Sequence, residues 1–254
     1  MLFRSGAILG AEALVRWRHP KRGLLLPDSF IGVAESTNLA EELGRWVMRD
    51  ACAEFSRWRS HGVGRNATLR INVSPRQLVI PGFVRSVADT IDEFGINADS
   101  LCLEITESAV VRDIETTRRT LAGLKAVGVQ IAIDDFGTGY AVLSHLKSLP
   151  VDTLKIDAGF VRDLGANPSD LAIVRAIIGL AEAFGLQLVA EGVETPAAAL
   201  TLIEHGCHRA QGFLLSRPVA GEDMESLLSR RLLPMSFFDH DKAFDAARDL
   251  ARQR

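Results

Sequence analysis

Seven short apolar runs, separated mostly by helix-length segments, constrain this chain more than any other feature. They are Ile8–Val15, Ala67–Val73, Leu101–Ile105, Val129–Ile133, Thr153–Ile156, Leu186–Ala190 and His208–Phe213. Short apolar runs rich in β-branched residues read as buried strands. Between them, Leu39–Trp58, Phe83–Phe94, Ile114–Val127, Ser169–Phe184 and Pro196–His205 carry apolar residues at helical spacing. Pro196 suits a first helical turn, and Gly128, Gly185 and Gly206 fall where helices should stop. A strand-then-helix unit repeated this often predicts α/β architecture with a parallel sheet. At 254 residues the expected form is a TIM-like (β/α) barrel. One strand is missing from the count that such a barrel requires. Residues 1–231 are expected to form the barrel. Arg230, Arg231 and Pro234 mark the boundary, and residues 232–254 are expected to be a C-terminal tail or linker, helical in part.

Each run carries an acid, an amide or a lysine within it or just past it. The first contains Glu12 and the second Asn72. The third contains Glu104, with Glu107 three residues on. The fourth is followed by Asp134 and Asp135, and the fifth carries Lys155 and ends at Asp157. The sixth leads into Glu191 and Glu194, and the seventh contains Gln211. In a parallel barrel the C-terminal strand ends meet at one mouth, where sites are built. A lone Asp-Asp pair more often caps a turn, but this many acids in register point to a shared site. Buried carboxylates at this density repel unless cations lie among them. Asp, Glu and Asn oxygens suit hard divalent ions, and two such ions are a familiar arrangement for hydrolysing phosphoesters.

Composition narrows the function further. A net charge of -3 gives no footprint for duplex nucleic acid. Cys52, Cys102 and Cys207 are odd in number and lack zinc-ligand spacing, which favours a reducing, cytoplasmic setting over a disulfide framework. No apolar stretch approaches the roughly 18 residues of a membrane span, and no signal peptide is visible.

At this point the motifs resemble a known family, the EAL-domain phosphodiesterases of bacterial cyclic di-GMP signalling. They are Glu12-Ala13-Leu14-Val15-Arg16, Asn72-Val73-Ser74, Glu104-Ile105-Thr106-Glu107, Asp134-Asp135-Phe136-Gly137-Thr138-Gly139, Lys155-Ile156-Asp157, Glu191-Gly192-Val193-Glu194 and Gln211-Gly212. The resemblance covers residues 6–230. It implies hydrolysis of one phosphodiester bond of cyclic di-GMP to linear pGpG, with two divalent ions, magnesium or manganese. It assigns Glu12, Asn72, Glu104 and Asp134 to one ion, and Asp134, Asp135 and Glu191 to the other. Lys155 would hold the attacking water, and Glu12, Lys155, Glu191 and Glu107 form the expected catalytic set. Glu107 would act by anchoring the Asp134–Tyr140 loop, and Glu194 would give outer support. Leu14, Arg16, Pro27, Phe30, Asn72, Asp157, Gln211 and Pro218 are the expected substrate contacts. A homodimer through the Asp134–Tyr140 loop is also implied. After that loop, Ala141-Val142 stand where the family has a small polar pair.

The family begins with a strand before the one that holds Glu12, and Met1–Arg4 spans at most its end. The expectation is a barrel without its usual first strand, as in a truncated homologue or in a piece of a longer parent with an upstream regulatory domain. The alternative function is a receptor that binds cyclic di-GMP without cleaving it. A scaffold that binds a protein partner through the barrel surface or residues 239–254 is a further alternative.

Overall fold

A computed structural model describes residues 5–37, 39–139, 146–164 and 167–230. Strand β1 (Gly10–Ala13) is followed by a hairpin, β2 (Trp17–His19) and β3 (Gly23–Leu25), and then by helices α1 (Ile31–Ser36) and α2 (Leu39–Ser60). Strand β4 (Thr68–Asn72) leads into α3 (Pro75–Leu78) and α4 (Phe83–Phe94). Strand β5 (Leu101–Thr106) leads into α5 (Glu107–Arg112) and α6 (Ile114–Val127). Next come β6 (Gln130–Phe136), β7 (Thr153–Ile156), α7 (Ala158–Arg162) and α8 (Pro168–Phe184). Strand β8 (Gln187–Ala190), α9 (Pro196–Glu204) and α10 (Gly221–Arg230) complete the described chain.

One six-stranded sheet runs in the order β1-β4-β5-β6-β7-β8, and every neighbouring pair is parallel. This is the α/β architecture that the alternation predicts, a barrel short of strands among the described residues. Strand period two decides which residues meet which layer. Leu69, Ile71, Leu101, Leu103, Ile105, Ile131, Ile133, Leu154 and Ile156 are buried in one core with Phe55, Leu121, Leu124, Val174 and Leu202 from the helices. The intervening positions, among them Arg70, Asn72, Cys102, Glu104, Ala132, Asp134, Thr153 and Lys155, fall on the inner face of the sheet. The helices therefore supply the apolar packing, and the strand interior is free to carry polar chemistry.

Two expectations change. The hairpin of β2 and β3 lies in a stretch, Trp17–Leu25, whose charge and single proline give no strand periodicity. The seventh run, His208–Phe213, forms no strand among the described residues. It contributes a bridge between Ala190 and Ala210 and then turns away. Gln211 N donates to Ala190 O at 2.9 Å, and Val193 N donates to Gln211 O at 3.1 Å. Leu215 N and Ser216 N then both donate back to Gly212 O, closing the turn. Gly212 has φ of 153°, and a Cβ there would stand 2.2 Å from Val193 O. No L side chain fits that position without moving backbone. Expectations for Met1–Arg4, the segment from Tyr140 through Val142, and residues 232–254 fall outside the described residues.

Gly212→Ala is therefore expected to lower unfolding free energy by at least about 3 kcal/mol, through backbone strain plus overpacking. Urea denaturation reads this directly, and an unchanged midpoint would contradict the close approach to Val193.

Candidate active site

The site grows from Lys155, the inward-facing centre of β7. Its side chain is only 1% exposed. Its Nζ lies 2.6 Å from Glu104 Oε2, 2.5 Å from Glu191 Oε1, 3.1 Å from Asp134 Oδ2 and 3.8 Å from Glu12 Oε2. These acids come from β1, β5, β6 and the segment just after β8. The parallel register brings them to one level. Thr106 lies opposite Asp134, Asn72 opposite Glu104, and Ile156 opposite Ala190, which precedes Glu191.

Amides complete the ring. Asn72 Nδ2 donates to Glu12 Oε1 at 2.7 Å. Gln211 Nε2 donates to Glu12 Oε2 at 2.7 Å and to Glu191 Oε1 at 3.1 Å. Gln211 thus joins the acid of the first sheet strand to the acid after the last one. This contact faces the carboxylates rather than the outer rim.

Adjacent residues on a regular strand face opposite ways. Asp134 and Asp135 are adjacent, yet both reach the same cluster. Each of Asp134, Asp135 and Glu191 offers an oxygen, and these atoms lie within 4.8 Å of one another. The cause is a register shift in β6. Ile133 lies opposite Leu154 but Phe136 lies opposite Ile156, so two residues on β6 face one on β7. Asp135 has φ of 53°, and it is the one non-glycine among the described residues with positive φ. This bulge re-aims a side chain at a sheet end, a recurrent use of the motif beside active sites. The strain of the left-handed conformation is consistent with a site held for chemistry.

Beyond the bulge, Glu107 holds the loop. Its Oε2 accepts from Gly137 N at 3.0 Å and from Gly139 N at 3.1 Å. A Cβ on Gly139 would lie 2.8 Å from Glu107 Oε1, so a side chain there would displace the carboxylate from its amide donors. Asp157 caps α7 by accepting from Gly159 N at 2.8 Å. Arg16 is half-buried and donates to Val15 O at 2.9 Å, with no carboxylate within ion-pair distance among the described residues. Its guanidinium is available to an anion. Leu14 is 42% exposed, Pro27 half-buried and Pro218 exposed. Phe30 is buried, its ring meeting Trp17 edge-on at 5.8 Å. Glu194 is exposed, and the described contacts include none that would give it the expected supporting role.

Arg70 was not among the residues that the sequence singled out. Its Nη1 donates to Glu104 Oε1 at 3.2 Å. The signal was present, because strand alternation in Thr68–Asn72 puts Arg70 on the face of Asn72.

Among the described residues, the cations within ion-pair distance of Glu12, Glu104, Asp134, Asp135 and Glu191 are Lys155, which meets Glu12, Glu104, Asp134 and Glu191, and Arg70, which meets Glu104. Full ionisation therefore leaves net negative charge. Burial pushes the Glu104 carboxyl up to about 7, with Lys155 opposing and Glu12 and Asp134 reinforcing the shift. Burial raises Glu191 to about 8, again against Lys155. Burial and the neighbouring Asp134 and Asp157 raise Asp135 to about 6. Protons here relieve what a cation would otherwise relieve. The oxygen donor set and the close triad of Asp134, Asp135 and Glu191 fit a hard divalent ion. Thiolate ligation does not compete, because burial pushes Cys102 up to about 12 and Cys207 to about 11.

A family model described as the EAL domain matches residues 1–218. The chain is 62% identical to the EAL domain of Mycobacterium smegmatis DcpA, whose crystal structure superposes with a TM-score of 0.79 over 92% of this chain and 94% of that one. It is 42% identical to a Pseudomonas aeruginosa MucR phosphodiesterase structure in complex with c-di-GMP, with a TM-score of 0.85 over 88% of this chain and 90% of that one. It is also 64% identical to an uncharacterised Mycobacterium tuberculosis protein over 91% of this chain and 37% of that protein. The chain thus spans about a third of the length of the curated relatives it matches, including full-length MucR at 33%. Among the described residues, no helix is long and apolar enough to cross a membrane.

The raised acids set a sign for stability. Glu104 and Glu191 hold protons in the folded state above the ordinary value of 4.5, where the unfolded chain releases them. Their contribution is full below that value and is lost as pH climbs through about 7 to about 8. Chelator-treated protein should accordingly melt at lower temperature at pH about 8.5 than at about 6. Magnesium or manganese should raise the melting temperature more at the higher pH, since ions there need displace fewer protons. Equal metal-induced shifts at both pH values, read by differential scanning fluorimetry, would contradict this reading of the cluster.

Proposed function

The chain belongs to the EAL-domain family, and on that premise we propose that it hydrolyses one phosphodiester bond of cyclic di-GMP to give linear pGpG, using two divalent ions, magnesium or manganese. The observation that carries the proposal is the convergence of Glu12, Glu104, Asp134 and Glu191 on Lys155, with Asp135 brought in by the bulge. The named activities of MucR, a bifunctional diguanylate cyclase/cyclic di-GMP phosphodiesterase, and of NbdA, a cyclic di-GMP phosphodiesterase, support the substrate.

Bound divalent ions would neutralise the phosphodiester and make water acidic enough to attack it at neutral pH. In the assignment the motifs imply, Glu12, Asn72, Glu104 and Asp134 hold one ion, and Asp134, Asp135 and Glu191 hold the other. Arg16, with no acid within ion-pair distance among the described residues, is placed to receive a phosphate or a guanine edge, and a guanidinium suits either. Leu14, Pro27, Phe30 and Pro218 frame the nucleotide, while Gln211 and Asp157 act within the mouth itself. Glu107 fixes the backbone that follows the two aspartates, so its role is to place Asp134 and Asp135 rather than to exchange protons.

Lys155 has a double role. Its ammonium donates to Glu104 and stands within ion-pair distance of Glu191 and Asp134. Were those acids to hold a metal, the ammonium would be released to orient a water. The same proposal includes a cytoplasmic homodimer formed through the Asp134–Tyr140 loop and an upstream regulatory domain, supported by relatives longer than this chain.

The test is a hydrolysis assay with cyclic di-GMP in magnesium, manganese or chelator. Metal-dependent formation of pGpG is expected, and binding without product in all three conditions would instead indicate a receptor. Glu12→Ala should lower turnover by more than about 100-fold while leaving the fold intact, since it removes a mouth carboxylate and little packing. Lys155→Met should lose turnover and also destabilise the metal-free protein by about 3–5 kcal/mol, because it strands buried acids without their cation. Full activity in either variant would sink its assigned role.

A further inference from the structure

Glu104 is the most enclosed acid of the cluster, with its side chain fully buried. Its two oxygens are divided between two cations. Oε2 meets Lys155 Nζ at 2.6 Å, and Oε1 meets Arg70 Nη1 at 3.2 Å. Arg70 sits on β4, opposite Glu12 on one side and Cys102 on the other. Strand alternation puts it on the inner face, one step below Asn72. Its side chain is 15% exposed, and the same Nη1 also donates to Cys102 Sγ at 3.5 Å. Glu104 is the one carboxylate within ion-pair distance of Arg70 among the described residues.

We propose that Arg70 is a positioning residue that sets divalent-ion affinity by fixing Glu104, holding Oε1 from below so that Oε2 stays turned toward the mouth. The inference rests on the metal-dependent reading given above. A carboxylate on a strand has two soft side-chain torsions beyond Cβ, and ordering them at the moment of binding costs free energy. A hydrogen bond to the oxygen that faces away from the ion removes that cost in advance. Residues that orient metal ligands in this way typically change affinity by about 10- to 100-fold when removed.

The bland alternative is that Arg70 only neutralises a buried acid. The two roles predict opposite signs. An arginine this near a cation site opposes metal binding by charge alone, so its removal would tighten binding if charge were its main effect. Removal loosens binding if orientation is its main effect.

The experiment is calorimetric titration of chelator-treated protein with manganese alone, for the original chain, Arg70→Gln and Arg70→Lys. Arg70→Gln is expected to weaken manganese binding by about 10- to 100-fold. In the hydrolysis assay, its turnover is expected to recover to within about threefold of the original chain at saturating manganese. General structural damage would not be reversed by added metal. Arg70→Lys keeps the charge and shortens the reach, so it should weaken binding by a smaller factor, at least about threefold, since lysine cannot reproduce the planar fork. If Arg70→Gln does not fold, Arg70→Lys carries the test alone. Unchanged or tighter manganese binding in the folded variants overturns the proposal. Absence of manganese binding in the original chain is a separate result, since it removes the metal-dependent reading itself.

Discussion

A single buried ammonium holds this structure's mouth together. Lys155 draws acids from four separate parts of the sheet to within ion-pair distance. Without it, Glu104 and Glu191 would be enclosed with little to offset their charge, and the cost of burying an unpaired carboxylate is several kcal/mol. The contact explains why the barrel interior can be polar at all. It also explains why the helices must carry the apolar core, since the inner face of the sheet has been given over to charge.

The second constraint is the pleat. A regular β6 would send Asp134 inward and Asp135 outward into the helix layer. The register shift between Ile133 and Phe136, with Asp135 at φ of 53°, delivers both to the mouth. Glu107 then secures the outgoing backbone through Gly137 and Gly139. Three elements therefore cooperate for one geometric end: a bulge that turns a side chain, a carboxylate that fixes the exit, and a glycine that admits the carboxylate.

How far the sequence discloses this depends on what each feature is made of. Helices with a clear apolar face were legible to their ends, as Phe83–Phe94 and Ile114–Val127 show. Sheet strands with alternating burial were legible too, and period two placed Glu104, Asp134 and Lys155 on one face. The β2–β3 hairpin was not, because its pairing follows from a turn in which His19 Nδ1 accepts from Lys21 N and Arg22 N, not from periodicity. The seventh run misled for the opposite reason. Its composition suits a strand, but Gly212 takes a backbone conformation that ends pairing after Gln211. The bulge was invisible because two adjacent aspartates read equally well as a turn. Lys155 looked like a water-binding residue, whereas its contacts make it first the counterion of the acids.

The counterion role bears on how such a site can exist before any metal reaches it. An acid cluster that could hold divalent ions is repulsive without them. Lys155 takes three of the contacts that an ion would take, and protons held by Glu104, Glu191 and Asp135 reduce what remains. Those two substitutes differ in what happens next. On the proposed function, protons would leave when an ion bound, but the ammonium is tethered and would stay. It would then stand beside the acids it had surrendered. On that proposal a group that stabilises the metal-free fold would also be the group placed to act once metal is bound, and a single inward position on β7 would serve both needs.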